Sequence, residues 1–298
     1  MDIQLRWIAS TSASGYHAAD ALMAGRRLAD VDLAAALAEP SASLATALDD
    51  SAVDRQQFMR HLLPLSAGIH VCRELAQVAL TKTIGRARQE DVIDRVVGPL
   101  SEIQRAAASA KPGLTDELTL RGEPLRMQWE ARGSGLLKET ARLTDPAVMV
   151  AAADVVLVFP ATGGGGRAHL AYNSVRIEAV LADRVPGLPE VLRLGWLLSM
   201  LNLDLPTLGE RIGLRRLRQI APLAMLPAVL MAAEIVELAR YDEATLQMAL
   251  AAWQNDLPPA VAGDSETALR TIRDWWQTHT EGGAGFSVAL AALDQMIA

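Results

Sequence analysis

Residues 155–181, VVLVFPATGGGGRAHLAYNSVRIEAVL, hold the densest set of side chains able to do chemistry in this chain. Gly163, Gly164, Gly165 and Gly166 allow dihedrals and close approaches that a Cβ forbids, and their amides could converge on an anion. The spacing is not GxxxxGK[ST], because no Lys followed by Ser or Thr comes after Gly166, and it opens no long βαβ unit of the GxGxxG kind. A nucleotide is therefore not indicated. Read as one helix over 168–181, the segment puts His169, Tyr172, Asn173 and Arg176 on one face at spacings of three and four. Arg167 and Arg176 would neutralise an anionic ligand, His169 would bind it or move a proton, and Glu178 on the flank would orient an arginine.

A second glycine segment, WEARGSGLL, follows an alternating stretch, LRMQWEA, that predicts a half-buried strand. Glu130 and Arg132 stand at its end, followed by Gly133 and Gly135. If that strand ran parallel beside the one at 155, both loops would share one edge of the sheet, where ligands collect at the carboxyl ends of strands. The cleft between 130–135 and 163–178 would then have His169 and Glu130 as catalytic groups and Arg132, Arg167 and Arg176 as binders. Antiparallel pairing would separate the loops.

Other constellations are weaker. His61 and His70 are nine residues apart with Pro64 and Gly68 between them, and His17 has only Asp20 near it, so no compact metal-ligand pattern appears. Glu234 and Glu237 interrupt an apolar helix without the Glu-x-x-His repeat of a di-metal site, and read as its solvated end. Cys72 is two residues from His70, a spacing that separates the side chains on a helix, and reads as a packed thiol. No GxSxG elbow occurs. The sequence identifies no cofactor and no metal site.

The elements that must position these groups are mostly helices. The chain has 298 residues, 51% of them hydrophobic but only 4% aromatic, so its apolar content rests on Ala, Leu and Val. This predicts a predominantly helical α+β protein with a small central sheet, or a compact α/β layer. The helical pattern fills 1–111, and 112–298 mixes short strands with a C-terminal helical bundle, the two forming separate regions or one integrated domain. Within it, ADVVLVFP is the clearest strand, suited to a central position. Asp54 is expected to cap a helix that Pro64 or Gly68 ends, and Gly85 to close another. The apolar stretch around Pro227 is cut by that proline and by Glu234, and reads as a buried or interface helix.

A formal net charge of −7, without a run of basic residues, argues against nucleic-acid binding. One cysteine and the absence of a signal-like leader point to a cytoplasmic protein without integral membrane association. Two functions follow from different features. The missing motifs, the Ala and Leu helices and the acidic surface fit a helical interaction or structural protein, self-associating as a homodimer or holding a protein partner, while the adjacent Trp275 and Trp276 read as core packing or, in second place, as a partner contact. The glycine segments and their arginines fit an enzyme or binding protein for an anionic small molecule.

Overall fold

A computed structural model describes residues 3–205, 208, 211–253 and 265–297. Its first strand, β1 (Gln4–Ala9), is followed by α1 (Thr11–Met23), α2 (Val31–Asp50), α3 (Arg55–Leu65), α4 (Cys72–Ile84), α5 (Arg86–Ala110) and α6 (Leu114–Gln128). A π-helical turn, Trp129–Gly133, leads into α7 (Ser134–Leu143). Then come β2 (Ala152–Val158), β3 (Gly166–His169), β4 (Ser174–Glu178), α8 (Glu190–Ser199), α9 (Leu214–Ile235), α10 (Glu243–Ala252), α11 (Ser265–Gly282) and α12 (Phe286–Met296). The protein is a predominantly helical α+β fold with a four-stranded mixed sheet in the order β1-β2-β4-β3. β1 and β4 both run parallel to β2, while β3 is antiparallel to β4.

Side-chain alternation gives the sheet two different faces. Trp7, Val155, Leu157, Val175 and Ile177 point to one of them, and α6 and α8 cover it. Gly122 of α6 and Gly166 of β3 are required there, because a Cβ would stand 2.4 Å from Leu157 and 2.6 Å from Leu197. The opposite face carries Val156, Val158, Ser174, Arg176, Glu178, Arg167 and His169. Ala13 of α1 packs with Val156 and Val158, and α3 reaches β4 on the same side. Behind this pair, α2, α4 and α5 form the N-terminal helical layer.

Two expected elements are corrected. LRMQWEA is not a strand but the end of α6 and the π turn, since Leu114, Leu118, Gly122, Leu125 and Trp129 are buried at helical spacing over a longer window than the local alternation covers. The helix expected over 168–181 is a pair of strands. Between them a short 3-10 turn, Leu170–Tyr172, ends at Asn173, whose φ of 47° is left-handed. The reversal is fixed by Asn173 donating its side-chain amide to Ala152 O at 2.7 Å.

Other expectations hold. Asp54 caps α3 by accepting from Gln57 N at 2.8 Å, and Gly85 ends α4 with a φ of 81°. The helix α9 is long and apolar enough to cross a membrane, yet its flanks are packed by α7 and α8 and most of it is buried in the protein. Trp275 and Trp276 are both buried in the C-terminal bundle, Trp275 donating to Ala289 O at 2.7 Å.

Candidate functional site

The carboxylate of Glu178, last residue of β4, is the inner anchor of the polar face. It is 2% exposed and accepts from Thr162 N at 3.0 Å, Thr162 Oγ1 at 3.1 Å, Gly164 N at 2.5 Å and His17 Nε2 at 2.7 Å. The glycine loop does gather its amides on an anion, but that anion is the protein's own side chain. Gly163 and Gly164 have φ of 80° and 127°, so the loop needs glycine to turn inward at these positions. Its outward carbonyls, Thr162 O and Gly164 O, accept from Arg184 Nη1 at 3.1 and 3.3 Å. Of the four glycines expected to cradle a ligand, Gly164 gives its N–H to Glu178, Gly165 O accepts from Glu178 N at 2.8 Å, and Gly166 is packed in β3.

Burial would raise the Glu178 carboxyl, but the hydrogen bonds from His17, Thr162 and Gly164 outweigh it and hold the group well below the usual carboxylate range. His17, on α1, is 4% exposed, and burial together with the nearby Arg176 lowers its pKa against the opposing pull of Glu178. The pair is therefore a carboxylate and a neutral imidazole whose Nε2–H donates to Glu178. Nδ1 is left as the lone-pair nitrogen, buried and with no hydrogen-bond partner. Neither His17 nor the anchoring role of Glu178 was expected from the sequence. His17 is 161 positions from Glu178, and only the β1-β2-β4 order brings α1 over β4.

One register step along, Arg167 and Arg176 stand directly opposite each other across β3 and β4, and His169 stands opposite Ser174. Like charges paired this way repel. Arg176 is 6% exposed and His169 5%, whereas Arg167 reaches the surface. His169 Nε2 and Ser174 Oγ are both buried without a hydrogen-bond partner. Burial, then Arg176, Arg167, His17 and Arg60, push His169 well below its ordinary value, so its ring is neutral. Adjacent on α3, Arg60 and His61 come to the same region. Arg60 is lowered by desolvation and by the charges of Arg167 and Arg218, the latter from the first turns of α9, against a weaker opposing pull from Asp54.

His61 Nδ1 and Tyr172 OH are 2.7 Å apart, which ties α3 to the β3–β4 turn, and Lys82 Nζ lies 5.4 Å from the Tyr172 ring centre. Burial, Lys82, Arg60 and Arg218 lower the His61 pKa, while burial pushes the Tyr172 hydroxyl up to about 12. Among the described residues, Arg60, Lys82, Arg167 and Arg218 form no ion pair within 4 Å, although many arginines elsewhere in the chain do.

Of the expected site residues, the fold brings together His169, Arg167 and Arg176, with Tyr172 at their margin. Asn173 is a turn residue. Glu130 and Arg132 do not join them: both are exposed in the π turn between α6 and α7, elements on the other side of the sheet. Gly133 lies under Trp129, where a Cβ would come within 2.3 Å of the indole, and Gly135 faces Val236. A cavity of about 350 Å³ opens at the amino ends of β1 and β2, lined by residues including Arg6, Asp154, Tyr172 and Asn173, and touches the polar face only through the β3–β4 turn. Comparison with family models, curated proteins and solved structures finds no match to this chain.

Proposed function

We propose that the chain binds an anionic small molecule on the polar face of its sheet, between β3, β4 and α3. Arg60, Arg167 and Arg218 would meet the ligand, and His169 would accept or give a proton. What carries this reading is that Arg60 and Arg167, without ion-pair partners, stand by two buried polar atoms without hydrogen bonds, His169 Nε2 and Ser174 Oγ, with Arg218 next to Arg60. Acids outnumber bases in this chain, 35 to 28, so counter-charges are plentiful elsewhere. A bare cationic cluster repels itself, and a bound anion relieves the repulsion while satisfying the buried donors and acceptors. Oxyanions that present several acceptor oxygens, such as phosphate, sulfate or a carboxylate, suit the planar forks of arginine.

The interaction role also has a feature in its favour. Leu120 and Met127 are 70% and 66% exposed and lie seven residues apart on α6. Two side chains form a small patch against the ~800 Å² per partner of a stable interface, so the anion site is the better supported reading.

Titration calorimetry with sulfate and with phosphate at constant ionic strength tests it. Arg60 and Arg167 are exposed, so Arg60→Gln and Arg167→Gln should fold normally. Each lost charge-assisted contact is worth about 1.5–3 kcal/mol, which corresponds to roughly 10- to 100-fold weaker binding. Absence of saturable binding by the parent protein, or equal binding by all three proteins, would reject the site.

A further inference from the structure

We infer that the anion enters this site together with a proton, and that His169 is the group that receives it. The inference rests on the anion-binding reading above and deepens it. His169 closes β3 on the face shared with Arg167, Ser174 and Arg176, is 5% exposed, and points a buried Nε2 at no partner. The charged and titratable groups that act on it most strongly are Arg176 from β4, Arg167 from its own strand, His17 from α1 and Arg60 from α3. None is negative. Two carboxylates share this face: Asp154, across Ser174 on β2, is paired with Arg6, and Glu178, beyond Arg176 along β4, is engaged by His17, Thr162 and Gly164.

In the unliganded protein this setting, with burial, keeps the His169 ring neutral. An anion held by Arg60 and Arg167 would bring a negative charge beside the ring, offset the two guanidinium charges, and offer an acceptor oxygen for an Nε2–H. Protonation of His169 then costs less in the complex than in the free protein. By linkage, the anion binds more tightly as pH falls toward the free-protein value, and binding takes up protons. His17 also has an unpartnered ring nitrogen, Nδ1, so the comparison with His169→Gln is what separates the two histidines.

Sulfate is the probe, because it stays fully ionised near neutral pH and every proton taken up must go to the protein. Calorimetric titrations at pH 6.5 in buffers of different ionisation enthalpy should give an uptake on the order of half a proton or more per sulfate, and affinity should rise several-fold from pH 8 to pH 6. In His169→Gln, sulfate should still bind but without the uptake. Binding by the parent protein without proton uptake overturns the inference while the anion site stands. Uptake that persists in His169→Gln overturns the assignment to His169, and absence of any sulfate binding removes both. Should the variant fail to fold, the ring nitrogen NMR shifts of His169 in the parent protein decide the matter: movement to the charged form on sulfate addition supports the inference, and unchanged shifts refute it.

Discussion

Replacing Glu178 tests whether the glycine loop, β4 and α1 are held together by one carboxylate. Its two oxygens take donors from His17, from the backbone and hydroxyl of Thr162, and from the backbone of Gly164, with His17, Gly164 and Glu178 itself buried and Thr162 partly so. In Glu178→Leu those donors lose their acceptor and Arg176 loses the carboxylate nearest to it along the strand face. Removing one side of a buried charged network costs about 3–5 kcal/mol. Glu178→Gln keeps an amide oxygen that can still serve the three donors on Oε1, but its NH2 then faces Gly164 N–H, so about 2–3 kcal/mol is expected. At about 2 °C per kcal/mol for a chain of this size, Tm should fall by roughly 6–10 °C for Leu and 4–6 °C for Gln. Differential scanning calorimetry at pH 7.5 in a chloride buffer reads both. A Glu178→Leu protein as stable as its parent would refute the anchoring role and with it the explanation given for the glycine loop.

Three further outcomes follow from the same geometry. Gly164→Ala places a Cβ at φ 127° and 3.1 Å from Arg184 Cδ, and should lose about 1–3 kcal/mol in chemical denaturation; an unchanged midpoint would show that the loop relaxes freely. His17, His61 and His169 all have folded-state values below the ordinary one, so the unfolded chain takes up protons first as pH falls. Their contribution is complete above about pH 6.5 and is lost progressively below it, whereas the Glu178 contribution persists to about pH 4.5 and is lost below that. Stability measured against pH should therefore decline in two stages, and a flat profile between pH 7 and 5 would contradict neutral buried histidines. Arg60→Gln should leave stability in chloride unchanged or raised by up to about 0.5 kcal/mol, because it thins a like-charge cluster; a loss above about 1 kcal/mol would mean that Arg60 has a structural partner.

Much of the helical scaffold was legible in the sequence because its signals are local. A side chain that caps its own helix, as Asp54 does, or a glycine at a positive φ, as at Gly85, is read within a few residues. The strand at ADVVLVFP was legible for a similar reason: a run of Val, Leu, Val and Phe suits a strand covered on both faces. The two misread elements are places where both periods fit a short window. The set His169, Tyr172, Asn173 and Arg176 matches a helix, yet Arg167, His169, Ser174, Arg176 and Glu178 match two strands joined by a turn, and Asn173 at a left-handed φ decides for the strands. That change of period leaves His169 and Arg176 on one face all the same, so the two are grouped under either reading. The rest depended on register and strand order. His17 reaches Glu178, and Arg60 reaches Arg167, only after β1 has paired with β2 across more than a hundred intervening residues. No local pattern encodes that pairing. The same topology separated Glu130 and Arg132 from the site by putting α6 and its π turn on the opposite face.

The central claim is that the cationic cluster on the polar sheet face is a binding site for an oxyanion. Anomalous diffraction from crystals soaked in selenate locates such an ion without prior choice of position. The account predicts a peak within hydrogen-bond reach of Arg60 and Arg167, near His169 and Ser174, that disappears in Arg60→Gln crystals. Selenate bound elsewhere with this face empty, or a peak here that survives loss of Arg60, would contradict it.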